Sequence, residues 1–318
     1  MDCPALRILM ATTTTRPPKI VLLGATGQVG RELLGPLAAC GELVACGRSR
    51  ADLERPEAVV ELLRREAPRV IVNAAAHTAV DRAEAEPDRA RLVNASAVGA
   101  IADEAARQGA TLVHYSTDYV FDGTKNGCYA ETDEPRPLSV YGGTKLEGER
   151  LIGSSGCHHW IFRTTWVYAA HGHNFVRTML RLAGERDELR VVADQFGAPT
   201  PARLIADVTT TFIRRLADPA AAPAGGLYHL APRGETTWCD FARFVLATAR
   251  EQGLTRRCGP DQVRAIATAD YPLPARRPAN SRLCTAKLEA ALGKKLPDWQ
   301  DEVHSIVSAL VAESSIGS

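Results

Sequence analysis

The sequence has almost no net charge, and it has no long apolar run. Its 318 residues include 38 basic and 37 acidic side chains, which leaves a formal charge of +1. So balanced a chain has no general attraction for nucleic acid or for an anionic membrane surface. No apolar stretch reaches the roughly 18–20 residues that cross a bilayer. We therefore expect no nucleic-acid partner and no membrane partner.

The sequence also lacks any C-x-x-C pair. Its eight cysteines match the spacing of no zinc site and no disulfide framework. We therefore expect no metal site, and we expect most cysteines to be small buried side chains in a protein of the reducing cytoplasm. They are Cys3, Cys40, Cys46, Cys128, Cys157, Cys239, Cys258 and Cys284.

Three parts are predicted along the chain. Residues 1–18 have neither a long apolar core nor a small-residue cleavage pattern, so we expect a poorly ordered extension instead of a signal peptide. Residues 19–192 alternate short apolar runs with helical patterns, which predicts an α/β fold with a parallel sheet. Residues 193–318 mix short strands, helices and a Pro/Arg-rich stretch, which predicts a smaller α+β part with some chain crossing between the two.

Six apolar runs of the larger part are predicted to be strands. They show no polar alternation, as is typical of parallel strands that are buried on both faces. In chain order they are "KIVLLG", "ELVACG", "RVIVNAAA", "TLVHYST", "HWIFRTT" and "LRVVAD". The stretch "DRARLVNASAVGAIADEAARQG" between the third and fourth of them is predicted to be one long helix.

A glycine-rich turn follows the first strand directly. Gly24, Gly27 and Gly30 form a G-x-x-G-x-x-G pattern that leads into an amphipathic helix. Glycine permits the tight turn and the close approach of backbone to a pyrophosphate, and the helix N-terminus offers free N–H groups. The context predicts a dinucleotide-binding site.

The second strand ends in Gly47-Arg48-Ser49-Arg50, where such a site meets the adenosine ribose. Arg48 is suited to the 2′-phosphate of NADPH, and a solvated surface arginine is an equal alternative. Asp52 and Leu53 follow and are expected to border the adenine. NADPH is the preferred cofactor on this basis, with NADH as the alternative.

Tyr141 and Lys145 lie one helical turn apart in a sequence with only six lysines. Side chains at this spacing share a helix face, and an ammonium beside a phenol lowers the phenol pKa. We therefore expect Tyr141 to transfer a proton to a carbonyl oxygen while hydride arrives at its carbon. Tyr141 and Lys145 are also expected to bind the cofactor, Lys145 by hydrogen bonds to the nicotinamide ribose hydroxyls, and Gly142 and Gly143 are expected to leave room for it.

Two residues at strand ends are candidates for contact with the substrate. Thr117 ends the fourth strand and is placed to hydrogen-bond a carbonyl oxygen, with a turn-capping threonine as the alternative. Trp166 follows the fifth strand and is suited to stack on a sugar or base, with a core tryptophan as an equal alternative. Arg276 and Arg277 are candidate partners for a nucleotide diphosphate or are solvated.

Taken together, these stretches resemble the dTDP-4-dehydrorhamnose reductase family of extended short-chain dehydrogenases/reductases. The matching stretches cover nearly the whole chain beyond residue 19. They are "GATGQVG" (24–30), "VNAAAHTAVDRAEAEP" (72–87), "STDYVFDG" (116–123), "VYGGTKLEGE" (140–149), "FRTTWVYAAHGHNF" (162–175), "DQFGAPT" (194–200), "GLYHLA" (226–231) and "RPANSRL" (277–283).

The resemblance implies a Rossmann-type doubly wound sheet over 19–192 and a substrate-binding domain over 193–318. It implies reduction of the C4 ketone of dTDP-4-dehydro-6-deoxy-L-mannose, with a catalytic triad of Thr117, Tyr141 and Lys145. The residues that it implies for the cofactor are Gly27, Gln28, Val29, Asp52, Leu53, Ala76, His77, Thr78 and Tyr115, and those for the sugar are Thr117, Asp118 and Trp166.

The family resemblance also raises a dimer question. Some members resemble a metal-linked dimer built from glutamates, and Glu32 fits one of those positions. The corresponding second acid is Arg203 in this sequence, and a cation there repels a divalent ion. The sequence therefore argues against a metal-linked dimer and leaves a homodimer open.

Two other functions remain open on the sequence. A related nucleotide-sugar dehydratase needs a second carboxylate after Asp118, where this chain has Tyr119; a related epimerase is grouped with it. A non-catalytic NADP-binding regulatory subunit shares the fold, and the intact Thr117, Tyr141 and Lys145 set argues against it.

Overall fold

The computed structural model describes residues 17–218 and 221–316. The predicted N-terminal extension therefore lies outside the described residues, except for its last two prolines. The strands are β1 Lys19–Leu23, β2 Glu42–Cys46, β3 Val70–Asn73, β4 Thr111–Thr117, β5 His159–Thr164, β6 Val167–Tyr168, β7 Leu189–Val192, β8 Phe196–Gly197, β9 Thr200–Pro201, β10 Gly226–His229, β11 Thr236–Thr237 and β12 Val263–Ile266.

The helices fill the intervals between these strands. The α-helices are α1 Gln28–Ala38, α2 Pro56–Glu66, α3 Val80–Ala85, α4 Pro87–Arg91, α5 Ala97–Gln108, α6 Val140–Ser154, α7 Phe175–Glu185, α8 Ala202–Arg215, α9 Trp238–Glu251, α10 Ala286–Leu292 and α11 Trp299–Ile316. A π-helical segment spans Leu92–Ser96, and 3-10 turns span Asp118–Val120, Pro260–Gln262 and Thr268–Asp270. Of the helices in the described ranges, none has the length and apolarity needed to cross a membrane.

A six-stranded parallel sheet organises the larger part of the molecule, in the order β10-β5-β4-β3-β1-β2. The four central strands β1, β3, β4 and β5 are buried over almost their whole length, and every residue of β4 is buried, whereas the edge strand β2 is partly exposed. The chain leaves β1 toward β2 on one side and returns to β3 on the other. In such doubly wound sheets the ligand crevice lies at the carboxyl ends of the strands beside this switch point. The predicted α/β doubly wound fold is confirmed.

One strand assignment from the sequence is wrong. The predicted sixth strand, "LRVVAD", does not join the main sheet, because β7 pairs only with β12 in a separate two-stranded sheet. The sixth strand is β10, which pairs in parallel with β5. The local sequence pattern predicts a short strand. Which strand it pairs with depends on contacts between distant parts of the chain, and these cannot be read from the local pattern.

Three large clusters of buried side chains make up most of the core, and a small fourth cluster consists of Val120, Phe121, Tyr129 and Leu146. Two lie on opposite faces of the main sheet, one under α1, α8 and α10 and the other under α2 and α5. The third joins α7, α9 and α11 and is separate from the sheet. The cluster under α8 and the cluster around α7 each combine residues from before and after position 193. The domain boundary near residue 193 stays a prediction.

The predicted long helix between β3 and β4 contains a π-helical segment. It consists of α4, the π-helical segment and α5, which follow one another without a gap and end at Gly109, as predicted; the π turn within the helix was not predicted. The π turn lets the carbonyl of Asn94 approach Gly148 so closely that a Cβ on that glycine would overlap it. Wide turns of this kind are frequent at functional sites, and the side chain of Asn94 here contacts His77, which lines the cavity described below.

Cys128 and Cys284 form a disulfide, contrary to the expectation from sequence. Backbone hydrogen bonds join the neighbouring residues, from Tyr129 N to the carbonyl of Arg282 (2.8 Å) and from Cys284 N to the carbonyl of Tyr129 (2.7 Å). The two Cα atoms are therefore only 5.2 Å apart. A separation of 156 residues hid the pair from spacing rules. Four of the other described cysteines are buried thiols, as expected, and Cys40 is partly exposed.

Candidate active site

A cavity of about 880 Å³ opens at the carboxyl ends of β1, β3, β4 and β5. The structure places almost all of the predicted site residues around it. They are Gly24, Gly27, Gln28, Val29, Arg48, Asp52, Leu53, Ala76, His77, Thr78, Tyr115, Thr117, Asp118, Tyr141, Lys145 and Trp166. Gly30 is the exception.

The glycine turn fits a pyrophosphate. Gly24 has φ +77°, and a Cβ there would lie 2.6 Å from the backbone nitrogen of Ala75. Gly27 begins α1 with no side-chain cap, and no acidic residue occupies the first turn of that helix. The first N–H groups of α1 therefore stay available for an anion. Gly30 packs instead of binding, because a Cβ on it would overlap the carbonyl of Gly24.

Charged side chains gather where the adenosine ribose of a dinucleotide is expected. Arg48 pairs with Glu54 and, at 3.5 Å, with Asp52. Arg89 reaches the same Glu54 carboxylate at 2.7 Å. Two guanidinium groups thus share one acid at this end of the cavity, and the side chain of Arg48 is 63% exposed. A guanidinium held in this way can leave the carboxylate and bind the phosphate of a ligand instead.

Asn94, on the π turn, holds the segment after β3 in place. Its amide accepts a hydrogen bond from His77 N (2.8 Å) and donates to the carbonyl of His77 (3.1 Å). The same amide nitrogen donates to the hydroxyl of Thr144 on α6 (3.2 Å). The Nδ1 atom of His77 is buried without a hydrogen-bond partner among the described residues, and its side chain lines the cavity. An unpaired buried nitrogen here suits a polar ligand atom.

The phenol of Tyr141 is partly exposed in the cavity and packs edge-on against Tyr119, with ring centroids 5.8 Å apart. Burial raises the pKa of Tyr141 to about 12, and the hydroxyl of Thr117 opposes this increase by hydrogen bonding. The expected lowering of the phenol pKa by Lys145 is therefore wrong for this structure. Removal of the phenolate from water outweighs the other influences on it.

The amine of Lys145 is fully buried and points to β4. Its Nζ donates to the carbonyl of Tyr115 at 2.6 Å and lies 3.0 Å from Nε2 of His114. Burial lowers the pKa of Lys145 to about 8, although Glu149 opposes this change. The shared helix face thus brings Tyr141 and Lys145 to one cavity without pairing them.

Thr117 and Asp118 end β4 beside Tyr141. The Thr117 hydroxyl donates to Oδ1 of Asp118 (3.0 Å) and accepts from Tyr119 N (3.1 Å). Burial raises the pKa of Asp118 to about 6, against hydrogen bonds from hydroxyls such as that of Ser281. The buried hydroxyls of Ser116 and Thr164 have no hydrogen-bond partner among the residues of the structure, and both side chains line the cavity. This end of the site offers polar groups that suit a sugar.

Trp166 has a strained backbone and a stacked ring. Its φ of 45° lies in the left-handed region that bulky residues avoid. The ring stacks on Trp238 with centroids 3.7 Å apart, and a Cβ on Gly197 would lie 2.7 Å from it. Strain of this kind persists only where the surroundings enforce it, and it is concentrated at ligand sites. Both tryptophans line the cavity.

Several predicted contacts lie elsewhere. Gly142 faces Tyr119, whose carbonyl a Cβ would overlap, and does not line the cavity. The hydroxyl of Tyr115 bonds Thr209 at 2.8 Å within the core, although the residue borders the cavity. Arg277 pairs with Asp81 at 2.7 Å, and neither it nor Arg276 lines the cavity.

Sequence reasoning missed some cavity residues. Trp238 and His173 come from helix and loop segments that are remote in sequence, and Arg89 lies on α4. Of these residues, Asn73 could have been predicted, because it is a polar residue at the carboxyl end of a strand, where ligands bind in such sheets. Arg203, which stands where some family members have the second acid of a metal-linked dimer, forms an ion pair with Glu302 at 2.9 Å.

Comparisons with known proteins agree on one family. Residues 18–312 match the family model described as RmlD substrate binding domain. The chain is 49% identical over 306 residues to a dTDP-4-dehydrorhamnose reductase of Escherichia coli K12, covering 93% of this chain and 99% of that protein. It is 47% identical to one of Burkholderia thailandensis, with 93% and 100% covered.

Solved structures give the same relationship. A Bacillus anthracis dTDP-4-dehydrorhamnose reductase crystallised in complex with NADP superposes with a TM-score of 0.81 at 30% identity, covering 91% of this chain and 98% of that one. A Clostridium acetobutylicum dTDP-4-dehydrorhamnose reductase gives a TM-score of 0.84 at 35% identity, covering 92% and 99%.

Proposed function

Because the chain belongs to the RmlD substrate-binding-domain family, we propose that it is an NADPH-dependent dTDP-4-dehydrorhamnose reductase, with NADH as the alternative donor. The reaction converts the C4 ketone of dTDP-4-dehydro-6-deoxy-L-mannose to the alcohol of dTDP-L-rhamnose. The observation that carries the proposal is the meeting of two hydroxyls, those of Thr117 and Tyr141, in a cavity that also contains the uncapped start of α1.

The cofactor and the protein divide the reduction between them. When bound, the reduced nicotinamide supplies hydride for the carbonyl carbon. Tyr141 supplies the proton for the carbonyl oxygen and becomes a phenolate, which solvent then reprotonates. A phenol with a pKa of about 12 holds its proton at neutral pH, as a donor must before transfer. Thr117 lies beside it and orients the oxygen that receives the proton.

The chain's own residues bind the remaining parts of the two ligands. The first turn of α1 receives the pyrophosphate of the dinucleotide, and Arg48 receives the 2′-phosphate. Asp118, Ser116 and Thr164 bind sugar hydroxyls, and Trp166 stacks against the sugar or the base. We propose the cytoplasm as the location, and a homodimer stays a prediction.

Tyr119 weighs against the dehydratase alternative. It occupies the position where a second carboxylate would be needed, and its ring packs against Tyr141. Among the described residues that line the cavity, Asp118 is the one acid that is buried. That composition suits reduction, which needs one proton donor.

The test is NADPH oxidation by the purified protein with a panel of 4-keto nucleotide sugars. We expect absorbance loss that depends on the dTDP-linked 4-keto-6-deoxy sugar and yields dTDP-L-rhamnose. Nucleotide binding without turnover would instead support the regulatory subunit. Sugar conversion without net NADPH consumption would support an epimerase or dehydratase.

A further inference from the structure

Residues 277–284, which we call the strap, lie against the loop of residues 122–129 that follows the 3-10 turn after β4. The side chain of Asn280 on the strap donates to the carbonyls of Lys125 and Gly127 in the loop, both at 2.7 Å. The disulfide described above joins the same two segments covalently. The strap is therefore held to the loop by hydrogen bonds and by one covalent bond that a thiol can open.

The strap also reaches the end of the cavity that is proposed to bind the sugar. Ser281 is buried, and its hydroxyl hydrogen-bonds the carboxyl of Asp118, which lines the cavity. The strap backbone is paired with β8 at this point: Phe196 N donates to the carbonyl of Ala279 at 2.8 Å, and Ser281 N donates to the carbonyl of Phe196 at 2.7 Å. A displacement of the strap would therefore move a hydrogen-bond partner of Asp118.

The two sulfurs of the disulfide are open to exchange with small thiols. Cys128 is exposed and Cys284 is half-buried, and exchange depends on such access. The backbone hydrogen bonds beside the pair do not involve the sulfurs, and they hold the two Cα atoms 5.2 Å apart. The thiols of an opened pair therefore stay close enough to join again.

We propose that Cys128 and Cys284 are a thiol–disulfide exchange site, and that closing the bond fixes the strap and makes Ser281 a positioning residue for Asp118. Disulfides of cytoplasmic proteins usually open and close, and the proposed location of this protein is the cytoplasm. The effect on sugar binding rests on the proposed function, whereas the exchange chemistry and its effect on the strap do not.

The oxidant for closing the bond is a small disulfide of the glutathione class. The thiolate of Cys128 attacks one sulfur of glutathione disulfide, and a glutathione thiolate leaves. The thiolate of Cys284 then attacks the Cys128 sulfur of the mixed disulfide, and the second glutathione thiolate leaves. Two cysteine thiols are thus oxidised to one disulfide, and one glutathione disulfide is reduced to two glutathiones, which take up the two cysteine protons. An excess of reduced glutathione runs the same steps in reverse.

The first test measures the bond itself. Cys3 lies outside the described residues and Cys40 is partly exposed, so both are replaced by Ser in the protein that is tested. The protein is incubated in oxidised or reduced glutathione, alkylated and digested, and the linked peptide of Cys128 and Cys284 is quantified by mass spectrometry. We expect this peptide after oxidation and its loss after reduction. Two alkylated cysteines or lasting glutathione adducts after oxidation would overturn the proposal.

Amide hydrogen exchange tests the fixing of the strap without any assay of activity. Exchange in a segment becomes faster when the segment opens more often. We expect the amides of residues 277–284 to exchange faster in the reduced protein than in the oxidised protein. Cys128→Ser in the same background should exchange as the reduced protein does under both conditions. Exchange of the strap that is the same in both redox states would overturn the proposal.

Steady-state kinetics connect the strap to sugar binding. Because the sugar must then order a looser segment, reduction should raise its KM by about three- to tenfold. The dissociation constant of NADPH should not change, since no strap residue lines the cavity. Ser281→Ala should raise the sugar KM of the oxidised protein, and reduction should add little to that increase, because both changes act on the same contact. An equal sugar KM in the oxidised and reduced forms of the parent would also overturn the proposal.

The two proposals fail separately. Absence of turnover in both redox states, with strap exchange that follows the redox state, would reject the reductase and leave the exchange site standing. Normal turnover with a sugar KM and strap exchange that ignore the redox state would reject only the exchange site.

Discussion

Lys145 Nζ lies 3.0 Å from Nε2 of His114 and is not paired with the phenol of Tyr141. The one-turn spacing of Tyr141 and Lys145 therefore does not lower the pKa of the tyrosine in the free protein. The phenol keeps its proton, with a pKa raised to about 12 by burial. In the direction of ketone reduction this is the required starting state, because the residue must give a proton and not take one.

Replacing Tyr141 with Phe removes the proposed proton donor and little else. We expect turnover to fall by at least about 10²-fold, since general acid catalysis typically contributes that much or more. NADPH binding, measured by fluorescence titration, should persist. Tyr271→Phe changes a tyrosine that is 55% exposed and serves as the matched control. Near-normal turnover in Tyr141→Phe would remove the residue from the mechanism.

Arg48→Ala should weaken the preference for NADPH over NADH. A hydrogen bond to a charged group contributes about 1.5–3 kcal/mol, so the ratio of the two kcat/KM values should fall by roughly tenfold or more. Arg50 is the control, because it sits in the same turn, pairs with Glu66 at 3.2 Å and does not line the cavity. Equal cofactor ratios for the unmodified protein and Arg48→Ala would show that the 2′-phosphate is bound elsewhere.

Two glycines of α1 should respond in opposite ways to alanine. Gly30→Ala forces a Cβ onto the carbonyl of Gly24, and such overpacking typically costs about 1–3 kcal/mol. Gly35 has open space around a Cβ, so Gly35→Ala should stabilise the helix by about 0.5–1 kcal/mol. Chemical denaturation measures both changes. A Gly30→Ala protein as stable as the parent would refute the close packing of the turn.

Asp118 should lower the stability of the fold as pH rises. The pKa of Asp118 is about 6 in the folded protein and about 3.9 in the unfolded chain. Between these two pH values the folded state binds more protons than the unfolded state, so the free energy of unfolding falls as the pH rises from 4 to 6. Asparagine does not titrate, so Asp118→Asn removes this fall in the free energy of unfolding. Relative to the unmodified protein, the variant should gain about 2 kcal/mol of unfolding free energy between pH 4 and pH 7. A difference that stays flat with pH would show that the carboxyl is not perturbed by burial.

The fold was largely predictable because its signals are local. Strands such as β1 and β4 can be recognised as apolar runs. Gly24 and Gly27 lie in the turn after β1, where a pyrophosphate site requires glycine. The polar residues at strand ends marked the cavity for a general reason, since parallel strands bring their carboxyl ends to one edge.

The errors came from interactions between distant parts of the chain. The pairing of β10 with β5, the Cys128–Cys284 bond and the stacking of Trp238 on Trp166 all join segments far apart in sequence. The spacing of Tyr141 and Lys145 predicts the wrong direction for the Tyr141 pKa for a related reason. The helical spacing places the two side chains on one face of α6. Their hydrogen-bond partners, however, depend on burial and on the neighbouring strand β4.

A crystal structure of the protein with NADP and a dTDP-linked sugar tests the central claim most directly. The quantities to measure are the distances from the Tyr141 hydroxyl to O4 of the sugar and from C4 of the nicotinamide to C4 of the sugar. We predict hydrogen-bond contact for the first and van der Waals contact for the second, with Thr117 beside the same oxygen. A Tyr141 hydroxyl turned away from both ligands, or another acid in its place, would contradict the proposed mechanism.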